Sequence, residues 1–350
     1  MHAPGHRLVH LPLHDWLAHA VAVQASDLHL SAGNSPQVRI HGALQTLSHT
    51  AGRLAHEDLL HLLSNLMPQT LNTQFLAGKE VDFAFALPDL GRFRVNAFMQ
   101  AQGCGAVMRL IPGRIPDLAT LHPPAVLLQL LSQVGLLLVT GATGSGKSTT
   151  LAAMVQHLNR HAQLHILTLE DPIEFVHPNA RCLITQREVG THSPSFANGL
   201  RAALRQDPDV ILVGELRDLE TIRLALTAAE TGHLVLASLH TRNAAASIER
   251  MVDAFDSQEK ALVRTQLSDA LVGVLSQTLC PTPDGQGQIA VFEVLVATPA
   301  IRHLIREGKT TQIFNAMQTG AMHGMHTMAQ AMEMAISQQR MRPPHPELVA

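Results

Sequence analysis

The sequence predicts an α/β protein in two parts: an antiparallel sheet with flanking helices, then a parallel sheet covered by helices. Three observations carry that reading. Through residue 111 the strand patterns alternate and return across short turns. Residues 111–124 are crowded with Pro112, Gly113, Pro116, Pro123 and Pro124. Beyond them apolar strands alternate with helical segments, one of which opens on a phosphate-binding motif. A chain of 350 residues suits two domains. The expected division is a domain over residues 1–112, a Pro-rich linker over 113–124 and a second domain over 125–350.

The elements follow in order. Leu13, Trp16, Leu17, Ala20 and Val21 recur at helical spacing, and the pattern stops at Ser26. Leu28 and Leu30 alternate with polar neighbours, as do Val38 and Ile40 beyond the turn residues Gly33, Asn34, Ser35 and Pro36. Val81, Phe83, Phe85 and Leu87 then face Phe93 and Val95 across residues 88–91, and residues 106–111 supply another strand. In the second part the strands are residues 134–140, 164–169, 210–213 and 234–238, with a helix from Lys147. From Ser257, as N-cap, a long helix is expected to carry Leu262, Val263, Leu267, Leu271, Val274 and Leu275 on one face, making the last third mostly helical.

Composition narrows the function. A formal charge of −3, 3% aromatic residues and no tyrosine offer neither an electrostatic footprint nor stacking platforms for nucleic acid, so no nucleic-acid partner is expected. Cys104, Cys182 and Cys280 form no C-x-x-C pair, which excludes a disulfide framework and a four-thiolate zinc site. The 22 histidines mostly stand singly and read as solvated surface residues. No apolar run approaches the roughly 20 residues that span a bilayer, and residues 1–20 lack a secretory pattern, so the expected compartment is the cytoplasm.

Residues 141–148, GATGSGKS, match G-x-x-x-x-G-K-[ST] between an apolar strand and a helix. That context makes Gly141, Thr143, Gly144, Ser145, Gly146, Lys147, Ser148 and Thr149 the expected ATP-binding residues. Backbone N–H groups and the helix start face the phosphates, Lys147 neutralises them, and the Ser148 hydroxyl ligates Mg2+. Hydrolysis also needs a group to orient water. Strand 210–213 runs into Gly214-Glu215, so Glu215 is the candidate water-orienting base or outer-sphere metal partner, and strand 164–169 ends in Glu170-Asp171, putting more carboxylates at the same sheet edge. Either acid read alone is also compatible with a simple strand-end cap. His233 and His240 bracket a further strand whose end is expected to face the nucleotide; His240 is a candidate reporter of the γ-phosphate, with a core or surface histidine as the other reading.

Around these residues the sequence resembles a known family. Residues 168–175 (TLEDPIEF), 213–218 (VGELRD) and 229–235 (AETGHLV) follow one another as in the type IV pilus retraction ATPases, the PilT-type branch of the type II/IV secretion ATPases. The likeness extends from 25–30 (ASDLHL) through 92–98 (RFRVNAF) to 324–328 (GMHTM), nearly the whole chain. It implies a PAS-like α+β N-terminal domain followed by a RecA-like P-loop ATPase domain with a helical C-terminal region, assembled as a homohexamer. Implied too are an Asp box at Glu170 and Asp171, a Walker B glutamate at Glu215, a His box holding His233 and His240, and phosphate-reaching arginines matching Arg94 and Arg109. Read from the residues alone, both arginines are solvated strand residues. The partner implied is an inner-membrane pilus platform protein, reached from the cytoplasmic face at the pilus base, with a paralogous retraction ATPase as a further one.

Residues 300–307, AIRHLIRE, resemble the family's retraction helix, with His303 the one departure. Thr298 can cap it, Pro299 suits its first position and Gly308 its end. Ile301, Leu304 and Ile305 share one face and are expected to dock, leaving Arg302, His303 and Arg306 toward solvent as a coupling surface. Assembly and type II secretion ATPases of the family are usually longer at the N-terminus and often carry a four-cysteine zinc insertion, which this chain cannot form. Ala142 stands where proline is common and Ala329 where an acid is common; with the short Pro-rich tail after Gln339, the latter leaves an accessory retraction paralogue as an alternative. A RecA-like nucleic-acid translocase is the reading from another class.

Overall fold

The computed structural model describes residues 13–40, 42–47, 52–111 and 113–342. Pro112, most of the Pro-rich tail and residues 1–12, on which the absence of a secretory signal was partly read, lie outside them. The chain divides into two units, Met1–Arg114 with Pro172–Phe175, and Ile115–Asp171 with Val176–Ala350.

In the first unit α1 (Leu13–Ala22) precedes β1 (Asp27–Ser31), β2 (Gln37–Ile40) and β3 (Ala43–Thr46), then α2 (His56–Leu66), α3 (Gln69–Leu76), β4 (Val81–Leu87), β5 (Gly91–Gln100) and β6 (Gly103–Ile111). The strands pair antiparallel in the order β3-β2-β1-β6-β5-β4. Strict alternation decides which face is covered: Phe93, Val95 and Ala97 on β5 and Ala106 and Met108 on β6 are buried with Leu17, Leu59, Leu63 and Phe75 of the helices. Their neighbours Arg94 and Arg109 consequently lie on the opposite face, directly paired across the strands.

The second unit contains α4 (Leu127–Leu130), β7 (Gly135–Thr140), α5 (Lys147–His161), β8 (His165–Glu170), β9 (Leu183–Glu188), α6 (Phe196–Ala203), β10 (Val210–Val213), α7 (Leu219–Glu230), β11 (Leu234–Leu239), α8 (Ala244–Asp253) and α9 (Lys260–Ala270). It ends with β12 (Leu271–Pro281), β13 (Gln288–Val296), α10 (Pro299–Arg306), α11 (Thr311–Gln318) and α12 (Met328–Ser337). Its sheet runs β13-β12-β7-β11-β10-β8-β9, parallel except for β13. Leu136 and Leu138 pack on one side with α7 to α10, while Leu137 and Val139 pack on the other with α5. A sheet buried on both faces explains why its strands are continuous apolar runs.

Three expectations are corrected here. The long helix from Ser257 is instead α9, starting after Glu259, followed without a loop by β12, so Leu271, Val274 and Leu275 are strand residues. Their spacing fits a helix face equally well, because a strand buried on both sides has no polar alternation to betray it. The last third is therefore not mostly helical, since β12 and β13 form a long antiparallel pair at the sheet edge. Most of the 113–124 linker belongs to the second unit, where Leu118–Leu121 form a 3-10 turn and Leu118 is buried beside Leu127 and Leu130.

Candidate active site

The parallel strands deliver their ends to one edge, and the loop after β7 is shaped by glycine there. Gly146 has φ +86° and Gly141 φ +147°, conformations that a side chain resists, and α5 starts at Lys147 directly after them. Lys147 is 8% exposed; its Nζ donates to the carbonyls of Gly141 at 2.8 Å and Ala142 at 3.0 Å and lies 3.4 Å from His240 Nδ1. Thr143 Oγ1 is also 3.4 Å from His240 Nδ1. Ser148 is exposed in the first turn of α5 with Thr149 beside it, while Ser145 Oγ is buried and orphaned. A loop of left-handed glycines, a buried ammonium and an open hydroxyl at a helix start fit a nucleotide phosphate with its divalent cation.

Glu215 reaches this loop from β10. Gly214 N–H donates to Leu169 O at 2.8 Å, Ser238 Oγ donates to Gly214 O at 2.5 Å, and Leu216 N–H donates to Ser238 O at 3.0 Å, so the backbone around the carboxylate is stitched to both neighbouring strands. Glu215 Oε2 lies 3.3 Å from His240 Nε2, and Arg217 Nε donates to it at 2.8 Å. Arg217 Nη1 is 3.7 Å from Asp171 Oδ2. His240 therefore stands between Lys147 and Glu215, and Arg217 between Glu215 and Asp171. Arg217 escaped the sequence reading; its signal was the i, i+2 spacing from Glu215 just past a strand end.

Glu170 is held by neighbours on its own sheet. Thr168 Oγ1 donates to Glu170 Oε1 at 2.7 Å and Gln186 Nε2 donates to the same oxygen at 3.1 Å, while Gln186 Oε1 accepts from His177 N–H. The His177 ring meets Gln156 Oε1 at 3.2 Å, and burial pushes its pKa down to about 4. A neutral, buried His177 departs from the expected surface histidines.

His233 does not join the site. It precedes β11, at the opposite sheet edge from His240, with the six residues of that strand, about 20 Å, between them. Its Nδ1 meets Ala228 O at 2.9 Å at the end of α7. His233 entered the expected site through the family's His box rather than through strand topology, which pointed to His240 alone.

Arg94 lies 3.8 Å from Asp82 and from Glu174. Arg109 donates to Asp27 Oδ1 at 2.8 Å; Asp27 is buried while Arg109 is exposed. Burial pushes the Asp27 carboxyl up, but hydrogen bonds from Arg109 and Ser26 outweigh it and hold it below its usual value. That contribution is present above the ordinary carboxylate pKa and is lost as pH falls through the lowered one. Arg109→Ala is expected to destabilise the first unit by roughly 1–3 kcal/mol at neutral pH, a loss that shrinks in acid. Trp16, the single tryptophan, is buried in this unit, so its fluorescence during urea unfolding at two pH values reads the effect. An unchanged midpoint at neutral pH would show that the ion pair contributes nothing.

On the C-terminal side, Thr298 caps α10 through Ile301 N–H, and Ile301 and Ile305 are fully buried with Leu304 packed beside them. Arg302, however, is not turned to solvent. Its Nε donates to Ala297 O at 3.0 Å, and its Nη1 donates to Ser268 O and, at 2.7 Å, to Asp269 O. Ser268 and Asp269 lie in the last turn of α9, whose carbonyls a helix end leaves without partners. Arg306 meets Asp269 Oδ1 at 3.2 Å at the surface.

Residues 3–342 match the family model described as type II/IV secretion system protein. The chain belongs to that family. Among its relatives in the family, it is 51% identical to YggR of Escherichia coli, described as an uncharacterized protein, over 93% of this chain and 98% of that one. It is also 51% identical to the type IV pilus retraction ATPase PilT of Pseudomonas aeruginosa, over 89% of this chain and 90% of PilT. A crystal structure of the pilus retraction motor PilT with bound ADP superposes with a TM-score of 0.86 at 42% identity, covering 97% of this chain and 98% of that one. The secretion-ATPase family and its α/β plan, an N-terminal domain followed by a RecA-like ATPase domain, are those of the sequence expectation.

Proposed function

We propose that this chain is a motor ATPase that hydrolyses ATP to power type IV pilus retraction. The observation that carries the chemistry is the convergence of Lys147, His240 and Glu215 within hydrogen-bond range at one sheet edge. Lys147 and the loop N–H groups hold the triphosphate. Glu215 orients a water and accepts its proton as the water oxygen attacks the γ-phosphorus; the bond to the β,γ-bridging oxygen breaks, leaving ADP and phosphate. His240, touching both Lys147 and Glu215, is placed to register the γ-phosphate. Mg2+, when bound, neutralises phosphate charge, and Ser148 is the residue that would hold it. Glu170, kept in place by Thr168 and Gln186, is a second carboxylate at that edge.

The mechanical output rests on the PilT relative and structure. In this reading the first unit is the PAS-like domain and the second, from Ile115 onward, the RecA-like domain, working in a homohexamer with Arg94 and Arg109 neutralising charge on the transferred phosphoryl. The ring acts from the cytoplasm on the platform protein at the inner membrane. No helix among the described residues is long and apolar enough to cross a membrane. Specific ATPase activity is expected to rise with protein concentration as rings form. A monomer by light scattering with full, concentration-independent phosphate release would contradict the assembly requirement. Complementing a retraction-deficient deletion strain tests the output itself.

A further inference from the structure

We propose that Gln277 is a positioning residue for the phosphate-binding loop: it fixes the Ser145–Gly146 peptide so that its N–H faces the nucleotide. This rests on reading residues 141–149 as an ATP site. Gln277 sits on β12, one residue past the Ser276–Thr140 pair, and so lies directly beneath the loop that leaves β7. It is 3% exposed, a buried polar side chain between Ser276 and Thr278 in a strand that begins as an apolar run. Its Nε2 donates to Ser145 O at 2.7 Å, and its Oε1 accepts from Thr150 Oγ1 at 2.7 Å. A carbonyl can only accept, so this orientation of the amide is the one that serves Ser145 O.

A trans peptide is planar, with C=O and N–H pointing in opposite directions. Anchoring Ser145 O downward on Gln277 therefore turns the Gly146 N–H upward, to the side where a P-loop receives phosphate. The second bond, to Thr150, ties the same amide to the first turn of α5, so loop and helix start share one strut. The glycines agree: a Cβ on Gly146 would stand 2.8 Å from Gln277 Nε2, and one on Gly141 would meet the backbone carbonyl oxygen of Gln277. Both outer glycines of the motif leave room for Gln277 as well as for phosphate.

The test compares Gln277→Met, similar in volume but unable to form either bond, with the parent chain. Equilibrium titration with ADP and with pyrophosphate is expected to show each binding at least about tenfold more weakly. Thr150→Val keeps the Ser145 bond and should lose no more than about threefold. Gln277→Glu supplies a pH readout: charged, it repels Ser145 O, whereas protonated it can donate. Its ADP affinity should recover relative to the parent as pH falls. Wild-type affinity in folded Gln277→Met with only a lowered melting temperature would make Gln277 purely structural. Should that variant not fold, a pH profile of Gln277→Glu parallel to the parent's would overturn the inference equally. Failure of the parent chain to bind ADP would instead sink the ATP reading on which the inference rests.

Discussion

Lys147→Ala is expected to lose measurable nucleotide binding, whereas Glu215→Gln binds normally and loses turnover. The reasons differ in kind. Lys147 is the buried ammonium at the loop, with Nζ on two loop carbonyls and His240, poised where the terminal phosphates arrive. Without it several negative charges enter a partly desolvated site with no fixed counter-charge, a cost paid already in the ground state. In the proposed mechanism Glu215 acts on water, and Gln preserves its shape and its contact with Arg217 while removing proton acceptance. Turnover should fall by about 10²- to 10⁴-fold, with affinity within a few-fold of the parent. A fluorescent ATP analogue and a phosphate-release assay separate the two. Normal binding by Lys147→Ala, or parental hydrolysis by Glu215→Gln, would falsify the assignment of roles.

Much of this site was legible because local signals coincide with topology. A motif flanked by an apolar strand and a helical pattern fixes where phosphate binds, and parallel strands necessarily send their carboxyl ends to one edge, so Glu170 and Glu215 could be placed together before any coordinates. The same logic should have excluded His233, which lies at the start of its strand. What failed was information that lives in tertiary pairing. Strand β12 reads as a helix face because both its faces are buried, Leu271 and Val274 in one core and Val272 and Leu275 in the other, and hiding the strand hid Gln277. Strand β3 escaped because all four of its residues are exposed, leaving no alternation to read. Gln186 acts through partners across a sheet, and no spacing rule marks it, whereas Arg217 carried a local signal, two residues past Glu215, that the sequence reading passed over.

The helix of residues 300–307 shows how contacts redirect a prediction. Its apolar face docks as expected, yet the two arginines separate into different tasks. Arg302 supplies donors to three backbone carbonyls, two of them at the end of α9, immediately before the strand that carries Gln277. Arg302→Ala should therefore destabilise the second unit by about 1–3 kcal/mol. At roughly 2–4 °C per kcal/mol for a unit of this size, the melting temperature registers it. Arg306 makes an exposed ion pair with Asp269, worth at most about 1 kcal/mol, and His303 is exposed beside it. With Arg302 engaged on backbone carbonyls, His303 and Arg306 are the residues we propose for the coupling surface. Replacing both by alanine is expected to leave the melting temperature within about 4 °C and basal hydrolysis within about twofold of the parent, while abolishing pilus retraction in complemented cells. Normal retraction by that double variant would remove the coupling role from this helix. Loss of hydrolysis along with retraction would show that its outer face, too, serves the ATPase fold.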